Sequence, residues 1–116
     1  MLRRISLTSG QLRIPVEYMS LFSHADNMVD VIYLKSGYVC IMPHNKKYDD
    51  LYKPHTRSYK ENEVAGSYIV PQQVNKKYTI NLSMELLEKI SFWEERVCIT
   101  PFKNGLVIIQ YYNGKD

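Results

Sequence analysis

Three histidines, two cysteines and twelve acidic residues are the side chains here whose types could make or break bonds, and their spacing argues against it. His24, His44 and His55 fall at intervals that match no metal-ligand motif, and Asp49-Asp50 lies among lysines that would compete with a cation. Cys40 and Cys98 sit inside the apolar runs YVCIM and RVCIT rather than in a C-x-x-C pair, so both read as buried thiols in strands. No serine occupies a G-x-S-x-G turn, and no glycine-rich loop could cradle a phosphate. The expectation is a binding protein rather than an enzyme, with no metal and no cofactor.

Binding chemistry must then come from charge and amide groups. Fifteen basic and twelve acidic residues give a net charge of +3, and each third of the chain, divided at 42 and 66, carries +1. No tail holds the excess. An anionic partner would have to be met by a patch assembled in the fold.

The elements that could assemble such a patch are short. A chain of 116 residues, 45% hydrophobic and with ten Gly and Pro, has the size and composition of one folded domain, 1–116. It has no apolar run near the roughly 18 residues that span a bilayer and no secretory signal at its start, so a cytoplasmic location without a membrane partner is expected. RRISLT alternates polar and apolar and runs through Ser9-Gly10 into QLRI, which predicts two short strands joined as a hairpin. Pro15 has φ preset for a first helical turn, so the strand ending at Ile14 should yield to a helix near 16 to 23. VDVIYL and YVCIM, around Lys35-Ser36-Gly37, predict a second hairpin.

Residues 43–66 carry two prolines and nine formal charges with few aliphatic residues, the composition of a connector. Tyr48, Tyr52 and Tyr59 predict that it lies partly against the body. YIVP and QQVNKKYTINL then supply strand pattern, and SMELLEKI gives a short amphipathic helix capped by Ser83. RVCITPF and GLVIIQYY predict a hairpin across Lys103-Asn104-Gly105, where the Asn-Gly step tolerates positive φ.

The second half can be laid over the first. Ile14-Pro15-Val16 falls on Ile80-Asn81-Leu82, Leu21 on Leu87 and Val31 on Val97, after which two extra residues bring Gly37 onto Gly105. Two internal β-β-α-β-β repeats follow, at about 1–42 and 67–112, around the connector at about 43–66. Either repeat alone would bury too little surface to fold, so the two should share a core.

SLTSGQLRIPVEYM resembles the opening of the AbrB-type (SpoVT-AbrB) swapped-hairpin domain: a strand, a Gly-Arg step, an Ile-Pro step and a short helix. YTINLSMELLEKISFWEERVCITPFKNGLVII is similar to the same domain from the Ile-Pro position through the final hairpin. Two such units in one chain are similar to the MraZ proteins, whose halves form an intrachain pseudo-dimer. The resemblance implies a mainly β fold with short helices (α+β), built as a swapped-hairpin β-barrel.

It also implies that basic side chains on one strand face approach double-stranded DNA. The matching positions are Gln11 and Arg13 in the first copy and Lys77 and Thr79 in the second, flanked by Arg3, Arg4 and Lys76. Three positions depart from the pattern: Gln11 stands for the usual Arg, Lys76 for a glycine and Asn81 for a proline. The expected function is a transcriptional regulator that binds duplex DNA. The rival is a protein-binding module of the same fold, an antitoxin or an inhibitor, that engages its partner through the Tyr-rich connector and the C-terminal aromatics. Phe92-Trp93 and Tyr111-Tyr112 either plug the barrel end or make subunit contacts, and a homo-oligomer is expected.

Overall fold

The computed structural model describes residues 3–6, 10–51, 63–94 and 96–110, with the backbone alone for Arg3–Ser6 and Glu63. The strands are β1 (Arg3–Ser6), β2 (Gln11–Arg13), β3 (Met28–Leu34), β4 (Tyr38–Pro43), β5 (Glu63–Val64), β6 (Ser67–Gln73), β7 (Thr79–Asn81), β8 (Arg96–Phe102) and β9 (Gly105–Gln110). Val16–Leu21, Ser23–Ala25 and Lys46–Leu51 wind as 3-10 turns, and α1 (Met84–Lys89) is α-helical.

Seven strands make one sheet in the order β1-β8-β9-β4-β3-β6-β5, while β2 and β7 form a separate two-stranded ribbon. All pairs are antiparallel. The mainly β class with short helices is therefore found, and the closed barrel is not. Closure would need the two outer strands of the sheet to pair. Here β5 has only two residues, and β2 and β7 pair with each other rather than with an edge of the sheet.

The expected hairpin between β1 and β2 does not form either. β1 pairs with β8, setting Ile5 opposite Val97, and β2 pairs with β7, setting Leu12 opposite Ile80. Gly10 explains the departure. Its φ of +80° turns the chain out of the sheet, and its carbonyl accepts the Leu82 amide at 2.7 Å. A Cβ on Gly10 would stand 2.7 Å from the Leu82 carbonyl oxygen, so the ribbon closes this tightly only on glycine.

The other two hairpins are as expected, β3 with β4 and β8 with β9. The second turns differently from its sequence signal: positive φ falls on Lys103, at 55°, and Gly105 is needed for space. Its Cβ would collide with the Ile41 carbonyl oxygen on β4.

Alternation along the strands sends one face of the sheet inward. Val29, Val31 and Tyr33 of β3, Val39 and Ile41 of β4, Val97 and Ile99 of β8, and Leu106 and Ile108 of β9 are wholly buried. They join Leu12 and Ile80 of the ribbon and Phe22, Leu86 and Leu87 of the helical turns in one cluster. Each such aliphatic side chain contributes roughly 1.5–3 kcal/mol on burial. The core thus lies between sheet and ribbon, with helical turns at its sides. Cys40 and Cys98 are free, buried thiols, as their apolar runs predicted, and burial pushes the Cys40 thiol up.

The element starts do not keep the offset of 66 that the sequence suggested for the first part of the two halves; Tyr38 and Gly105, the starts of β4 and β9, lie 67 apart. From Gln11 to Thr79, Val16 to Met84 and Met28 to Arg96, the starts of like elements lie 68 positions apart, against the 66 of Ile14 on Ile80. In the new register Ser83, not Asn81, holds the place of Pro15, and Tyr78, not Lys76, holds that of Gly10. Tyr78 shares the left-handed backbone of Gly10, with φ of 63°. Apolar residues lie at both spacings, so the sequence pattern alone admits either offset.

Two further expectations resolve in parts. The helix foreseen near 16 to 23 is a pair of 3-10 turns broken at Phe22, whose φ is −113°. The Phe92-Trp93 pair divides: Phe92 enters the core, and Trp93 is 65% exposed. Tyr52, His55, Tyr59, Tyr111 and Tyr112 lie outside the described residues.

Candidate nucleic-acid interface

Three-residue strands can offer only one inward side chain each, and in the ribbon these are Leu12 and Ile80. Period-two alternation then forces Gln11 and Arg13 of β2, and Thr79 and Asn81 of β7, to the other side. Gln11 faces Asn81 and Arg13 faces Thr79 across the ladder. Gln11, Arg13 and Asn81 are exposed and Thr79 is half-buried.

The ribbon is held to the sheet by one side chain that the sequence did not flag. Gln72 of β6 acts as a local strand: its Nε2 donates to the Asn81 carbonyl at 2.9 Å and its Oε1 accepts the Asn81 amide at 3.0 Å. An amide on a half-buried strand position is compatible with many roles, so no pattern marked it. At the other end, the Ile14 amide donates to the Tyr78 carbonyl at 2.7 Å.

Asn75 shapes the loop that enters β7. Its Oδ1 accepts the amides of Lys77 and Thr79, both at 2.9 Å, and its Nδ2 donates to Thr79 Oγ1. This closes a tight turn with Lys76 and Lys77 exposed on it. Lys76 and Lys77 thus enter the ribbon beside the Arg13–Thr79 pair, and the three cations share one end. Gln11 and Asn81 occupy the opposite end. Arg3 and Arg4 belong to β1, paired with Ile99 and Cys98 in the sheet, and their side chains lie outside the described structure.

A second polar cluster went unnoticed in the sequence. His44, just after β4, faces Asp30 Oδ1 through Nδ1 at 2.6 Å and Asp49 Oδ1 through Nε2 at 2.5 Å. Asp30 is only 1% exposed, and its Oδ2 accepts the Asn45 amide at 2.8 Å. Burial alone would lower the histidine's pKa, but the hydrogen bonds and charges of the two carboxylates outweigh it and hold the ring above its ordinary 6.5. When doubly protonated, the ring can donate to both acids.

This clamp ties the turn Lys46–Leu51 to the sheet, where the turn lies against β6. The start of the connector therefore packs on the body as its tyrosines suggested. The missed signal was an acid between valines, VDV, in a strand otherwise fully apolar. No group of His, Cys, Asp and Glu among the described residues could hold a metal ion, and no described helix is long and apolar enough to cross a membrane. The chain matches no protein-family model, no curated protein and no solved structure.

Proposed function

We propose that this chain is a DNA-binding transcriptional regulator of the AbrB/MraZ type, in which two interleaved β-β-α-β-β halves present a ribbon of polar and basic side chains to duplex DNA. The observation that carries the reading is the ribbon: dry beneath through Leu12 and Ile80, it holds Arg13 outward beside Lys76 and Lys77. Three cations gathered from two distant stretches form the patch that a net charge of +3 otherwise lacks.

Interleaving is supported by the strand pairing. Exchanging β1 with β6, β2 with β7, β3 with β8 and β4 with β9 converts the order β1-β8-β9-β4-β3-β6 into its own reverse. Individual bonds follow the exchange. The Ile14 amide reaches the Tyr78 carbonyl as the Leu82 amide reaches that of Gly10, and Val31 opposite Ile41 corresponds to Ile99 opposite Ile108, with β9 offset by 67 rather than 68. Each half thereby lends its hairpin to the first strand of the other, which a swapped-hairpin pair within one chain would require.

Phosphate contacts would supply the affinity, each one lowering log K by about 0.9 per log unit of salt. Titration of the chain with mixed-sequence duplex DNA at low and moderate salt tests the reading. Binding should weaken steeply with salt, and Lys77→Ala should reduce the slope by about one. Absence of binding at low salt overturns it.

Trp93, 65% exposed, favours a second reading, a protein-binding module of antitoxin or inhibitor type. On that reading Trp93→Ala abolishes capture of a protein partner, and the ribbon cations can be removed without effect.

A further inference from the structure

The outward residues of the ribbon are not equivalent on its two strands. β2 offers Gln11 and Arg13, and β7 offers Asn81 and Thr79 in the opposing places. A ribbon made by two identical chains would carry the same residues on both sides of its dyad and would read a palindrome. This one cannot.

Resting on the DNA-binding reading, we infer that the outer face of the β2–β7 ribbon reads a non-palindromic major-groove site. It comprises a guanine under Arg13 and, about two base-pair steps away, an A·T pair under Gln11, Asn81 and Met84.

The dimensions fit. Two strands about 4.8 Å apart, with side chains at their flanks, suit a groove about 12 Å wide that admits a two-stranded ribbon. The outward pairs 11/81 and 13/79 are two residues apart, hence about 7 Å along the strands, close to two base-pair steps at about 3.4 Å each.

The chemistry at each end is distinct. At one, the Thr79 hydroxyl is occupied by Asn75 Nδ2, leaving Arg13 as the reader of that pair. A guanidinium forks onto O6 and N7 of guanine. At the other end, two amides face each other, and Gln and Asn side chains pair with N6 and N7 of adenine. Beside them lies Met84, 59% exposed, whose Sδ would stand 3.1 Å from a Cβ on Gly10, the residue before Gln11. An exposed thioether next to adenine-reading amides has a natural partner in the 5-methyl group of the thymine across the pair.

Selection from a random duplex library with the full chain, followed by anisotropy titrations at one fixed salt concentration, tests this. The selected motif should lack a dyad and contain a G and an A·T pair two steps apart. Arg13→Ala should relax the preference for G by about 10- to 100-fold, and Gln11→Ala should relax the A·T preference. Replacing that thymine by uracil should weaken the parent by about fourfold and leave Met84→Ala unaffected.

Arg13→Lys keeps the charge while losing the fork, so it should bind mixed DNA normally and still lose the G. That variant separates recognition from folding. Salt-dependent binding with no motif, or with a palindromic one, overturns the inference and leaves the DNA-binding reading standing. No binding to any duplex at low salt removes both.

Discussion

Val16–Leu21 and Met84–Lys89 leave the ribbon at opposite ends, each six residues long and each following an inward aliphatic residue, Ile14 or Leu82. One winds as 3-10 and the other as α. The difference lies one residue before each. Ser83 Oγ accepts the Leu86 amide at 3.2 Å, and its own amide donates to the hydroxyl oxygen of the buried Tyr33 at 2.8 Å. Pro15 has no side-chain oxygen to cap with and no amide to anchor it. In elements this short, one capping residue decides how the backbone winds, while the core contacts beneath stay alike.

If the halves are equivalent below the surface, the largest effects should come in matched pairs. Leu12→Ala and Ile80→Ala remove opposed, fully buried side chains, and each should cost about 2–5 kcal/mol in chemical denaturation. Losses differing by more than the spread of that range would break the equivalence. Gly10→Ala should come next, at about 1–3 kcal/mol, because it forces a Cβ against the Leu82 carbonyl in a left-handed conformation. Tyr78 already carries a side chain at the matching place, so Tyr78→Ala adds no such strain and loses only ring packing.

The caps sharpen the comparison at smaller scale. Ser83→Ala should cost about 1 kcal/mol, with loss of helical signal in circular dichroism. Pro15→Ala breaks no capping bond and should leave that signal unchanged.

How much of this could be read from the chain depends on whether the signal was local. Both true hairpins were legible, since β-branched runs and a short turn declare themselves within fifteen residues. So was the Ser83 cap. The partners of β1 and β2 were not: RRISLT and QLRI look like a hairpin because adjacent strands usually pair, whereas their actual partners, β8 and β7, lie in the second half of the chain. The register slipped for the same reason. Apolar residues spaced by two and by four match at shifts of 66 and 68 alike, and only the ladder tells Leu12 from Ile14 as the partner of Ile80. Among the candidate contacts, exposure of Arg13, Lys76 and Lys77 followed from polarity, whereas Asn75 and Gln72, which hold them in place, are polar residues with no distinguishing pattern.

The weakest expected effect concerns a place where the halves differ most in chemistry. Asp30 in β3 and Cys98 in β8 stand 68 apart, both buried, one a carboxyl and the other a thiol. Only the first is answered by a histidine. Because His44 is held above 6.5, the folded chain binds that proton more tightly than the unfolded one. Its contribution is therefore full below about pH 6.5 and is lost as pH rises through the raised value. Burial likewise pushes the Asp30 carboxyl up, against its hydrogen bonds to His44 and Asn45, so ionising it also takes stability away with rising pH, but starting from 3.8. The two windows separate the groups. The gap in melting temperature between the parent and His44→Gln should narrow from about pH 6 to pH 9, and on the acid side the variant should differ too, because losing the imidazole lets burial push the Asp30 carboxyl further up. A gap that stays constant over that range would mean the ring clamps the connector by shape and hydrogen bonding alone, without its charge.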